Sequence, residues 1–267
     1  MYLRSASADS HTRPDDALSH HAALAVHGLP LFGHDPNRVD VVSDVRQAVN
    51  RSGLWVHPQV GAAVLAHSGA LVVSPARAIV RSALSMGRDC AVVAGDAALQ
   101  RRLTTVDELL AEVALLSPHQ GRGRAFEAVL AMEEKCESVG ESRTRLALLD
   151  LGYHPESQVV MTDEAGRFVA RVDLLVDGVA VEFDGKVKYA RSRDLEDGAS
   201  DPGQVVWLEK RREDSIRRCG HPVERVIWSD LDRPGLIGSR IRAAKQLVTA
   251  GSFALPQSAT HRAAVNS

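Results

Sequence analysis

The sequence predicts an α/β protein of two domains, in which a smaller α/β domain precedes a mixed sheet flanked by helices. Three observations carry that expectation. Short β-branched runs near residues 40, 55 and 72 alternate with helical patterns in the first half. The second half reads helix, three strands, helix, strand, helix. At 267 residues, with 45% hydrophobic and 25% charged, the chain has the composition of a soluble protein and enough length for two modest cores. The polar opening 1–17 and the Ser-, Ala-, Thr- and His-containing tail 251–267 are expected to be disordered. The first domain is placed at 18–137 and the second at 138–250.

From Asp16, DALSHHAALAVHGLPLFG reads as a short helix closed by Gly28 and Pro30. The strands RVDVVSD, GLWVHP and ALVVSP follow, then a helix in ARAIVRSALSM after Pro75. RDCAVVAGDAAL reads as a strand or helix end running into another helix. Thr105, with Glu108 three residues on, is a capping box that opens TVDELLAEVALL. A helix over Arg122 to Cys136 leads to the second half. There ESRTRLALLDLG sets Leu146, Leu149 and Leu151 on an apolar stripe and stops at Gly152, which places Glu141 in a first helical turn.

The stretch RVDLLVDGVAVEFDG, residues 171–185, is the most informative. An Asp-Gly pair between alternating β-branched runs signals a two-residue type I′ hairpin, because both central residues must take positive φ. With Asp177 and Gly178 as the loop, Val176 pairs with Val179, Leu174 with Val181 and Val172 with Phe183, giving one apolar face. On the other face Asp173 meets Glu182, and Arg171 meets Asp184. Like charges opposed on a sheet cost roughly 0.2 to 1 kcal/mol per pair, so a cation belongs among Asp173, Glu182 and Asp184. That cation is either a divalent metal such as Mg²⁺ or the guanidinium of Arg171 on a solvated face.

Elsewhere the chemistry is sparse. Cys90, Cys136 and Cys219 are scattered and odd in number, which argues against a disulfide framework and a structural zinc site and fits a reducing cytoplasm. No apolar run reaches the roughly 18 residues of a membrane span. A net charge of −2 means that nucleic-acid binding must come from a local patch. EKRREDSIRRC offers one: Lys210 and Arg211 could grip phosphates, or the helix could be an ordinary solvated face laced with i,i+4 pairs. Trp207 and Trp228 are expected in the core. For His20, His21, His27 and His34 the nearby segment holds no acid or Cys to complete a ligand set, so core packing or solvent exposure is expected. No Walker loop, GxSxG elbow or HExxH motif is present.

A helix-borne Glu, a hairpin Asp and a Glu-x-x on the returning strand, in this order of elements, resemble the PD-(D/E)xK restriction-endonuclease-like superfamily, and within it the very-short-patch-repair-like nucleases. The resemblance covers 138 to about 248 and implies a restriction-endonuclease-like mixed sheet. It implies a Mg²⁺- or Mn²⁺-dependent endonuclease acting on DNA, with catalytic roles on Glu141, Asp173, Glu182 and Lys186. Asp173, Glu182 and Asp184 would hold metal, and Lys188, Lys210 and Arg211 would meet nucleic acid. Where the family carries Lys, two residues after Glu182, this chain has Asp184, so Lys186 or Lys188 just past the strand would supply the charge. SHHAALAVHGLPL, VVSPARAIV and AGDAAL are similar to the region that follows the winged helix in AbiEi-family type IV antitoxins, with only a short polar segment before Ser19. The combination implies a defence or toxin-antitoxin context. The alternative function is a catalytically inactive, antitoxin-like regulatory or binding protein on a nuclease scaffold, and a third is an interaction module whose loop 186–204 binds a protein partner.

Overall fold

Asp177 and Gly178 take φ of +50° and +83°, the pair of left-handed conformations that a type I′ loop demands. The second sheet is registered from this turn. The computed structural model describes residues 15–51, 53–59, 61, 64–67, 69–117, 121–185 and 202–249. Contacts divide the chain into two units, Met1–Ser142 and Arg143–Ser267.

In the first unit the strands are β1 (Ala17–Leu18), β2 (Val39–Ser43), β3 (Val49–Arg51), β4 (Leu54–Pro58), β5 (Val64–His67) and β6 (Ala70–Val73). They form one mixed sheet in the order β3-β4-β2-β1-β6-β5. The helices are α1 (His20–Val26), α2 (Pro75–Ser85), α3 (Arg88–Gln100), α4 (Val106–Ala114) and α5 (Arg122–Leu130). Ser74 caps α2, its Oγ accepting the N–H of Arg77, and Pro75 fits the first turn, where its missing N–H costs nothing. The Thr105–Glu108 capping box opens α4 as expected.

Several local expectations are corrected. Ala17 and Leu18 are fully or almost fully buried in β1, so order begins before residue 18. RDCAVVAGDAAL is one continuous helix, α3, and the helix from Arg122 stops at Leu130 instead of Cys136.

The second unit is built on α6 (Val139–Asp150), whose first turn lies across the division, then β7 (Glu156–Thr162), β8 (Phe168–Val176), β9 (Val179–Phe183), α7 (Pro202–Arg218), β10 (Val223–Val226) and α8 (Pro234–Thr249). This is the expected order. The sheet runs β10-β9-β8-β7, with β10 parallel to β9 and the other neighbours antiparallel. Leu174 pairs with Val181, Leu175 with Ala180 and Val176 with Val179, the register the Asp-Gly loop requires.

Both faces of this sheet are covered. Leu148 of α6 and Ile237 and Ile241 of α8 pack with Leu174, Val176, Val179 and Val181 on one side. Ile216 of α7 packs with Met161, Leu175 and Ala180 on the other. Val172 joins this second cluster and not the face of Leu174, contrary to the simple alternation. The cause lies at Asp173: the paired residues of β8 and β9 end at Leu174 and Val181, and Gln158 of β7 takes φ of +55° between the pairs Ser157–Leu174 and Val159–Val172. The apolar stripe of α6 is also shifted, since Leu146 and Leu148 are buried while Leu151 is exposed. Among the described residues no helix is long and apolar enough to cross a membrane.

Leu174 is 1% exposed and central to its cluster. Leu174→Ala should cost about 2 to 5 kcal/mol of stability in the second unit, read from the urea midpoint of tryptophan fluorescence.

Candidate functional site

Where the β8–β9 ladder opens, the Oδ2 of Asp173 accepts the backbone N–H of Phe183 at 2.9 Å, so the carboxylate substitutes for a strand carbonyl. Glu182 and Asp184 follow on the β9 side, and all three acids are half-buried. Glu182 is gripped by Arg212 of α7: Nη1 donates to Oε2 at 2.9 Å and Nη2 lies 2.7 Å from Oε1. Nη2 also donates to the carbonyl of Arg171 at 2.7 Å. The Asp184 N–H donates to Val226, extending the pairing with β10, and its carboxylate lies 3.8 Å from Arg225. Arg225 in turn binds Glu209 at 2.9 Å and Glu213 at 3.3 Å. The guanidinium that meets Glu182 is therefore Arg212, from a helix far along the chain.

The remaining predicted residues have other surroundings or lie outside the described residues. Glu141 is buried in the first turn of α6, where its Oε2 accepts the N–H of Glu137 and its own N–H donates to Ser138. Lys186 and Lys188 lie outside the described residues. Lys210 is exposed on α7 and, with Glu209, Glu213, Asp214, Arg217 and Arg225, lines an open depression. Arg211 stacks over the ring of Trp207 at 4.6 Å, and Trp207 is 54% exposed, against the expectation of a core residue. Trp228 does pack inward, edge-on to Phe183.

A second constellation lies wholly in the first unit: His20 and His21 are buried, as core packing led one to expect, and an acid from another strand joins them. Asp40, on β2, is completely buried. Arg38 donates to both of its oxygens, at 2.6 and 2.8 Å, the Nε2 of His57 on β4 lies 2.6 Å from Oδ1, and the Nδ1 of His21 lies 3.2 Å from Oδ2. The Nδ1 of His20 is 4.0 Å from Oδ1, and the His20 and His57 rings stack with centroids 4.3 Å apart. Among the described residues, His20, Asp40 and His57 form the one group whose ligand atoms all lie within 4.8 Å of one another, a possible metal-binding triad. The acid comes from β2 and not from the histidine segment itself. Its signal in the sequence was a lone Asp inside VDVV, since a charge in a buried strand needs partners.

Burial pushes the His20 imidazole down to about 3, with His57, Arg38 and Arg81 adding to the effect and Asp40 partly opposing it. For Asp40, burial works against ionisation, but hydrogen bonds from His21, His57 and Arg38 outweigh it and hold the carboxyl well below the usual range.

Comparison with known proteins adds two relatives, both named only as uncharacterized: MT2308 and Rv2248, from the CDC 1551 / Oshkosh and ATCC 25618 / H37Rv strains of Mycobacterium tuberculosis. Each is 27% identical over 218 residues, covering 79% of this chain and 76% of the relative. No known family profile and no solved structure matches the chain.

The charged cluster sets a pH dependence. Below the ordinary imidazole value of 6.5 an unfolded His20 takes a proton that the folded one refuses down to about 3, and Asp40 shifts stability in the same sense below 3.8. Stability of the first unit should fall steadily from pH 6.5 toward pH 3, by on the order of a few kcal/mol, and His20→Gln should flatten the upper part of that slope in urea titrations.

Proposed function

We propose that the chain is a metal-dependent phosphodiesterase acting on DNA through the open end of the β8–β9 hairpin. The observation that carries this reading is the seating of Asp173 on the Phe183 N–H beside Glu182, at the point where the two strands part. Residues of the same types, on the same elements, carry the resemblance to PD-(D/E)xK nucleases.

Asp173, Glu182 and Asp184 do not bring one oxygen each within 4.8 Å of one another in this structure, but closed round an ion they would make an all-oxygen donor set, which suits Mg²⁺ or Mn²⁺ better than a softer metal. Arg212 stands at Glu182 as a cationic placeholder and, at 39% side-chain exposure, has solvent to move into. When bound, a divalent ion supplies Lewis-acid polarisation of the phosphodiester and a lower pKa for the attacking water. The chain's own residues do the rest. The Phe183 N–H fixes the direction of Asp173, and Arg212, once released from Glu182, can meet a phosphate oxygen with its planar fork. Lys210 and Arg211 on α7 hold flanking phosphates, and Lys186 neutralises charge that builds on the scissile one.

A second reading rests on one contact. The Arg212–Glu182 ion pair already neutralises the acid without a metal, with one hydrogen bond to Oε2 and a charge contact at Oε1, as a regulatory or binding protein on a nuclease scaffold would require.

Labelled single- and double-stranded DNA, incubated with the protein and Mg²⁺, Mn²⁺ or EDTA, separates the two. Cleavage should need the metal and fall about a hundredfold or more in Asp173→Ala and in Glu182→Ala. Cleavage that survives Asp173→Ala sinks the assignment, and no cleavage together with no calorimetric Mn²⁺ binding leaves the regulatory reading.

A further inference from the structure

We propose that His20, Asp40 and His57 of the first unit form a binding site for a divalent transition metal of the Zn²⁺, Co²⁺ or Ni²⁺ class, separate from the hairpin acids. The site draws on three elements: α1 brings His20, β2 brings Asp40 and β4 brings His57. Their ligand atoms lie within 4.8 Å of one another.

As a purely structural network, the group gives His20 only a ring stack on His57 and one hydrogen bond to its neighbour. Asp40 is already bound by Arg38, His21 and His57, whereas His20 stands 4.0 Å away, too far for a hydrogen bond. Its one hydrogen bond among the described residues runs between Nδ1 and the Oγ of its neighbour Ser19, a hydroxyl that can donate as readily as accept. Yet His20 is 5% exposed and holds φ of +49°, a left-handed conformation that costs a non-glycine residue roughly 1 kcal/mol or more. An apolar residue would fill that space without burying a polar ring. A strained, buried imidazole whose Nδ1 stands 4.0 Å from a carboxylate and whose ring stacks on a second imidazole has a task if it is a ligand.

The donor set identifies the metal class. Two imidazole nitrogens and one carboxylate oxygen favour borderline first-row ions, and disfavour Mg²⁺ and Ca²⁺, which prefer oxygen alone. The His57 side chain is 22% exposed, which gives the ion an approach and a side on which water can complete the coordination. His21 lies beside the same carboxylate, its Nδ1 3.2 Å from Oδ2, and is fixed by Nε2, which donates to the Arg38 carbonyl at 2.7 Å. Arg38 is the competitor. Its guanidinium shares Asp40 and lies over the Trp55 ring at 4.1 Å, a contact it can keep while giving up the carboxylate.

The test is titration of the full chain with Co²⁺, followed by visible ligand-field absorption and by the paramagnetically shifted imidazole N–H resonances that an all-oxygen site cannot produce. One equivalent should develop both signals, unaffected by excess Mg²⁺. His57→Ala should weaken binding more than about a hundredfold with its circular dichroism unchanged, while His34→Ala should have no effect. Arg38→Gln should tighten binding at least about tenfold by removing the competing charge. Absence of histidine-bound Co²⁺ in the native chain, or signals that persist in both His57→Ala and Asp40→Asn, overturns the proposal. Because the readout is ligation and not cleavage, its outcome is independent of DNA hydrolysis at the hairpin.

Discussion

The two-residue turn at Asp177 and Gly178 is the constraint on which the second unit depends. Side chains alternate across a sheet with a period of two, so a slip of one residue would exchange Leu174, Val176, Val179 and Val181 for their neighbours on the opposite face. The turn prevents that slip. Lys245 of α8 holds Asp177 at 2.7 Å and ties the turn to the helix that covers one face. With register settled, Asp173 and Glu182 reach the open end of the hairpin, and α7 faces them with Arg212.

Buried charge is handled differently in the two units. In the first, Asp40 has no exposure at all and is surrounded by partners from the residue just before its own strand, from α1 and from β4. Taking a carboxylate out of water costs several kcal/mol, and only a nearly complete shell of hydrogen bonds offsets it. In the second, Glu182, Asp184, Glu209 and Glu213 share Arg212 and Arg225 near solvent, where each pair is worth less and exchanges more easily. The first arrangement favours rigidity, the second rearrangement.

What could be read from the residues follows the same physics. The Asp-Gly turn, the Thr105–Glu108 cap and the element order of the second half are local or periodic signals, and they appear where expected. The strands β1, β3 and β5 are two to four residues long, too short for a pattern to emerge. The α3 segment is apolar on most sides because it is buried, which erases the contrast that marks a helix. Val172 escaped because alternation assumes an unbroken ladder, and Asp173 breaks it. The triad of His20, Asp40 and His57 joins residues 17 and 20 positions apart, a proximity that exists only after β2 and β4 pair in parallel.

Among the described residues the four-stranded sheet ends in two edge strands, and each is poorly suited to recruiting a foreign strand. On one side β10 is only four residues long and carries Glu224 and Arg225. On the other, β7 is interrupted by the left-handed Gln158 and by a register shift between Met161 and Thr162. Short length, charge and local kinks are the means by which natural sheets avoid adding strands edge to edge. Although Val160 and Phe168 lie exposed near that second border, the backbone beside them offers no straight template for fibrous or oligomeric self-association.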